Sequence, residues 1–137
     1  MKLTNTLTMK RKTGMTLLEL TVVILVLLSL ISILFIGARA WKKGSDRAGC
    51  ILAIRSVQVG VRSYANMAGL NPGDTVASWK GKVVGTGLFV EKEPTCPGAG
   101  TYTFATDTVI PAVGTLAITC SLAADPGLHA PATYTDW

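Results

Sequence analysis

Residues 20–38, L-T-V-V-I-L-V-L-L-S-L-I-S-I-L-F-I-G-A, form an uncharged, strongly apolar run near the N-terminus. As a helix these 19 residues extend roughly 28 Å at ~1.5 Å per residue, close to the ~30 Å hydrocarbon core of a bilayer. A helix that is apolar all round has to be buried in lipid or in protein. This run is therefore a membrane span, a protein core, or both in turn. Two features complicate a plain span. Glu19 stands at its start, and a carboxylate costs up to about 2.5–3.5 kcal/mol at the bilayer centre, less near the edge. Such a group points to function and requires a partner. Ahead of it, Lys10-Arg11-Lys12 lead into Thr13-Gly14-Met15.

Charge is distributed unevenly. The formal net charge is +5, but Lys2, Lys10, Arg11 and Lys12 all precede Gly14; from Met15 onward nine basic and eight acidic side chains leave +1. The body thus offers no broad positive field, and no nucleic-acid binding is expected of it. Residues 1–14 read as an unstructured basic leader. Arg39, Lys42, Lys43 and Arg47 flank the far end of the run, so the positive-inside rule does not choose an orientation. Leader and run also fit a secretory signal, with Ala38-Arg39-Ala40 as a small-x-small cleavage site, or a single-span anchor. The run is long for a signal peptide, and Glu19 fits neither reading well.

Beyond the run, the chain stays free of proline until Pro72. Cys50, Ile54, Val57, Val61, Tyr64 and Ala68 recur at steps of four and three, one apolar stripe of an amphipathic helix. Lys43, Asp46, Arg55, Gln58 and Arg62 fall largely off it. Gly69 and then Pro72 give a helix stop. The spacing predicts one helix over Thr16–Ala68, weakened by up to about 1 kcal/mol at each of Gly37, Gly44, Gly49 and Gly60. After the turn cluster Asn71-Pro72-Gly73-Asp74, short apolar pieces lie between Trp79 and Val90. Thr101–Ala105 alternates, with Tyr102 and Phe104 on one face; Leu116, Ile118, Cys120 and Leu122 alternate likewise. These predict an antiparallel pair joined through 107–114, followed by an irregular tail anchored on the sheet by Tyr134 and Trp137.

The expected fold is α+β. A long N-terminal helix, half transmembrane (15–38) and half amphipathic (39–69), carries a small antiparallel sheet region (70–137) on its amphipathic half, so each hides the other's apolar face. No nucleophile elbow, phosphate loop or paired acid and base is present, and no enzymatic activity is expected. Cys50 falls on the helical stripe and reads as a buried free thiol. With Cys96, Cys120 and the lone His129 it could ligate zinc in principle. The spacing holds no C-x-x-C or H-x-x-x-H pair, which argues against that, and His129 reads as a surface or turn residue. Arg55 and Arg62, seven apart on one helix face with Gln58, are either solvated or available to a neighbouring subunit.

Residues 10–24, K-R-K-T-G-M-T-L-L-E-L-T-V-V-I, resemble the N-terminal signature of type IV pilins and of the pilin-like pseudopilins of type II secretion and related systems. In that signature a basic leader ends in glycine, and Thr-Leu-Ile/Leu-Glu opens an apolar run. Its glutamate is the fifth residue after the glycine, as Glu19 is after Gly14. Met15 stands where phenylalanine is commoner. Cys96-Pro97-Gly98-Ala99-Gly100-Thr101-Tyr102, with Cys120-Ser121 later, is similar to a C-terminal pattern of some bacterial pseudopilins. The resemblance implies a filament subunit made as a single-pass bacterial inner-membrane precursor with its leader in the cytoplasm. Prepilin peptidase would cut between Gly14 and Met15 and methylate the Met15 amine, and inner-membrane assembly machinery would extract the chain into a periplasmic or extracellular filament. Its partners would be identical or related pilin subunits, with Glu19 of one facing the Met15 amine of another. In such a location Cys96 and Cys120 are either disulfide-bonded or free thiols. No cofactor or metal is expected, although some pseudopilins hold calcium in C-terminal loops; here Asp107, Asp125 and Asp136 lie in loops without EF-hand spacing and read as solvated.

Overall fold

The computed structural model describes residues 14–124 and 129–137; the basic residues of the leader and Asp125 lie outside them. Helix α1, Leu17–Ala68, runs unbroken through all four of its glycines. It is followed by a single turn of helix, α2 (Lys80–Val83), and two short strands, β1 (Tyr102–Phe104) and β2 (Ile118–Cys120). The chain divides into two compact units, one ending at Ala38 and the other beginning at Arg39.

In the first unit the large apolar side chains from Leu17 to Ile36 are exposed. An 18-residue window of α1 has a mean hydropathy of 3.0, and none of that window is buried. Its length and composition are compatible with a membrane anchor. The polar side chains inside the run are satisfied locally. Thr21 Oγ1 donates to the Leu18 carbonyl at 2.9 Å, Ser29 Oγ to Val26 at 2.7 Å and Ser32 Oγ to Leu28 at 2.8 Å. Hydroxyls bonded back onto their own helix add no unpaired polar group in an apolar medium.

The second unit has a core of its own. Cys50, Ile54, Val57, Val61 and Ala65 of α1 pack with Trp79, Val83, Cys96, Ile110, Ala117, Ile118 and Cys120. The expected stripe holds as far as Val61 and then gives way: Ala65 is buried, Tyr64 half-buried and Ala68 exposed. Eighteen residues make five whole turns of 3.6, so Ala68 still lies in line with Cys50; as the last residue of α1 it stands at the end of the packed segment. Gln58, placed off the apolar stripe above, is buried. Its Nε2 donates to the Thr115 carbonyl at 3.1 Å, and its Oε1 accepts the Ala117 N–H at 2.8 Å.

The predicted strand pair forms, antiparallel, with Tyr102 opposite Cys120 and Phe104 opposite Ile118. It is short, and the loops around it are fixed by side chains as much as by backbone. Trp79, wholly buried, donates its indole N–H to the Thr106 carbonyl at 3.0 Å. Arg62 donates to the carbonyls of Pro111 (2.7 Å), Ala112 (3.0 Å) and Trp137 (2.8 Å), so it ties down loops of its own chain. The tail is anchored on α1, with the Arg55 guanidinium 5.6 Å from the centre of the Trp137 ring. Tyr134 stays exposed.

Candidate functional site

The N-terminal group begins with backbone geometry. Gly14, Met15 and Thr16 precede α1 in non-helical backbone, so the Gly14–Met15 bond stands outside the helix. A Cβ added at Gly14 would meet nothing within 4 Å. Among the described residues no neighbouring atom therefore requires glycine there. Thr16 is followed three residues later by Glu19, and the two make a reciprocal capping box. Glu19 N–H donates to Thr16 Oγ1 at 3.3 Å, while Glu19 Oε2 accepts from Thr16 N–H at 3.3 Å. The carboxylate also faces the positive end of the helix dipole. Glu19 thus has a local partner, one that a T-x-x-E pattern signals directly. These contacts are exposed and long, leaving the carboxylate accessible to a stronger donor.

The second group joins four residues far apart in sequence. Cys50 lies on α1, Cys96 on the loop before β1, Cys120 at the end of β2 and His129 in the C-terminal segment. All four are buried, and their ligand atoms lie within 4.8 Å of one another. Cys96 Sγ stands 3.7 Å from Cys120 Sγ and 3.4 Å from His129 Nδ1. The three thiols are free in the structure. Two of them are thus adjacent, but well beyond the ~2.05 Å of a disulfide. His129, read from sequence as a surface or turn residue, is only 7% exposed.

Local backbone explains how these groups converge. Cys96-Pro97-Gly98-Ala99-Gly100 folds into a tight turn, with Ala99 N–H donating to the Cys96 carbonyl at 3.1 Å and Ala99 at a φ of 63°. The glycines leave the room the cluster needs. A Cβ on Gly98 would come within 2.6 Å of the His129 ring, and one on Gly100 within 2.8 Å of Cys120 Sγ.

The electrostatics of the sulfurs differ. Burial pushes the Cys50 thiol up to about 12. Burial also acts to raise Cys96, but hydrogen bonds from the Gly100 and Gly98 N–H groups, with His129 and Cys120 alongside, outweigh it and bring Cys96 down to about 7. Burial likewise raises Tyr102, whose hydroxyl remains a donor 3.2 Å from Cys50 Sγ.

The loop aspartates lie elsewhere. Asp107 accepts from the Lys80 N–H at 2.7 Å and from Ser78 Oγ at 2.6 Å, so both its oxygens hold the start of α2. Neither Asp107 nor Asp136 belongs to a ligand cluster among the described residues. Comparison of the chain with protein-family models, curated proteins and solved structures finds no match.

Proposed function

We propose that this chain is a structural, non-enzymatic subunit of a type IV pilus-like or type II secretion-like pseudopilus. It is inserted in the bacterial inner membrane as a precursor, cut between Gly14 and Met15, methylated at the new amine and assembled into a periplasmic or extracellular filament. The observation that carries this reading is the join at residues 14–19. A peptide bond in non-helical backbone, after a glycine with open space around it, directly precedes a capped, fully exposed apolar helix. Proteases need an unwound scissile bond, and a helix apolar all round needs lipid or neighbouring subunits around it. Cleavage creates a positive amine that Glu19 of a neighbouring subunit pairs with. A paired buried charge is tolerated where an isolated one is not, and such a pair fixes axial register.

The capping box favours a second reading. It gives Glu19 a task in an isolated helix, as in a conventionally exported or single-span anchored small domain that is cut near Ala40 or left uncut. The helical state of Ala38–Ala40 weighs against a cut there. Glu19→Gln separates the two readings, because glutamine also completes a capping box but carries no charge. The expected result is normal membrane insertion with filament assembly lost, scored by electron microscopy of sheared filaments. Filaments at wild-type levels would leave Glu19 with capping alone.

A further inference from the structure

We propose that the second unit binds one Zn²⁺ ion between Cys50, Cys96, Cys120 and His129, as a closed structural site. This goes beyond the filament reading and does not depend on it. The first argument is metric. A tetrahedral zinc with Zn–S of about 2.3 Å and Zn–N of about 2.0–2.1 Å separates its ligand atoms by about 3.8 Å (S···S) and about 3.6 Å (S···N). Cys96 Sγ lies 3.7 Å from Cys120 Sγ and 3.4 Å from His129 Nδ1, and all four ligand atoms fall within 4.8 Å of each other. Two of the six edges thus already lie near tetrahedral length, and none exceeds 4.8 Å.

The second argument is chemical. Three thiolates and an imidazole form a soft, tetrahedral donor set suited to zinc. The four residues are at most 9% exposed, so no coordination position opens widely to substrate, and the site is structural rather than catalytic. The third argument is the outer shell. Zinc with three thiolates carries a net charge of −1 in a buried place, which needs hydrogen-bond donors. The Tyr102 hydroxyl, 3.2 Å from Cys50 Sγ, supplies one. On binding, each of the three thiols releases its proton to solvent, and a lone pair from each thiolate sulfur and from the neutral His129 imidazole coordinates the ion; no redox change occurs.

The ion would tie α1, the pre-β1 turn, β2 and the C-terminal segment at one point. That suits a body whose two strands are three residues each. The full-length chain, purified in detergent without chelator, is expected to carry about one zinc per chain by elemental mass spectrometry, as a closed four-ligand site requires. Chelation should lower its melting temperature, and Zn²⁺ alone should restore it where Mg²⁺ does not. Cobalt in place of zinc should show the visible d–d and thiolate charge-transfer bands of a tetrahedral site. Cys120→Ser and His129→Ala should lose the ion, and Tyr102→Phe should weaken zinc affinity by about tenfold or more. The wild-type melting response keeps the test valid if a ligand variant fails to fold. Three results overturn the proposal: a metal-free chain with Cys96 and Cys120 disulfide-bonded, a metal-free chain with three thiols that takes up no Zn²⁺, or stoichiometric iron or copper in place of zinc.

Discussion

Gln58 lies off the apolar stripe, yet both ends of its amide are spent on the segment leading into β2, at Thr115 and Ala117. Replacing it with leucine keeps the volume and removes both partners. The buried Ala117 N–H left unpaired costs about 1–3 kcal/mol, and the part-buried Thr115 carbonyl adds less. Gln58→Leu is expected to lower the urea midpoint of the second unit with an unchanged m-value, and an unchanged midpoint would contradict the role assigned to the amide. The hydropathy pattern cannot reveal such a residue, because the pattern registers polarity and not where a polar group finds its partner. The same limit applies to Cys50, Cys96, Cys120 and His129. Zinc motifs are legible when two ligands share a turn, whereas here each comes from a separate element and only the tertiary fold brings them together. Cys50 as a buried thiol was legible, since it lies on the stripe. The capping role of Glu19 had a signal in the Thr16-x-x-Glu19 spacing, although the carboxylate was read above as lacking a local partner.

At the scale of elements, α1 was the most legible, because a proline-free stretch with a continuous apolar pattern and a glycine stop leaves few alternatives. Its glycines are not equivalent, and that was hidden. Open space surrounds Gly44, whereas a Cβ at Gly60 would come within 2.9 Å of Val83 Cγ1 and 3.2 Å of Val90 Cγ2. Gly60 is therefore where α1 approaches the Trp79–Val90 segment closely. Gly44→Ala is expected to stabilise the helix by about 0.5–1 kcal/mol. Gly60→Ala is expected to destabilise by about 1–3 kcal/mol, since the packed side chains must shift. Thermal melts of the two variants should move in opposite directions; a common direction would contradict the packing described. The strands were legible in position and facing but not in extent. Alternation marks which side chains share a face. It does not show that the loops between them are set by long-range bonds from Trp79, Asp107 and Arg62.

At the scale of the whole molecule, the two units make different demands. The second hides a core of its own. The first leaves its large apolar side chains exposed, and a helix apolar all round requires lipid or protein around it. The positive charge lies mainly ahead of Gly14, so removal of the leader would leave a chain near neutrality, at +1. A near-neutral subunit has little electrostatic repulsion to oppose close stacking with its neighbours. In the proposed function, span, glycine, carboxylate and leader belong to one sequence of events: insertion, cleavage at Gly14–Met15 and assembly through the exposed amine. The most direct measurement is the intact mass and N-terminal sequence of the chain recovered from membranes or sheared filaments of the native host. The account predicts a chain that begins at Met15 and carries one N-terminal methyl group. A chain that begins at Trp41, or that retains residues 1–14, would contradict it.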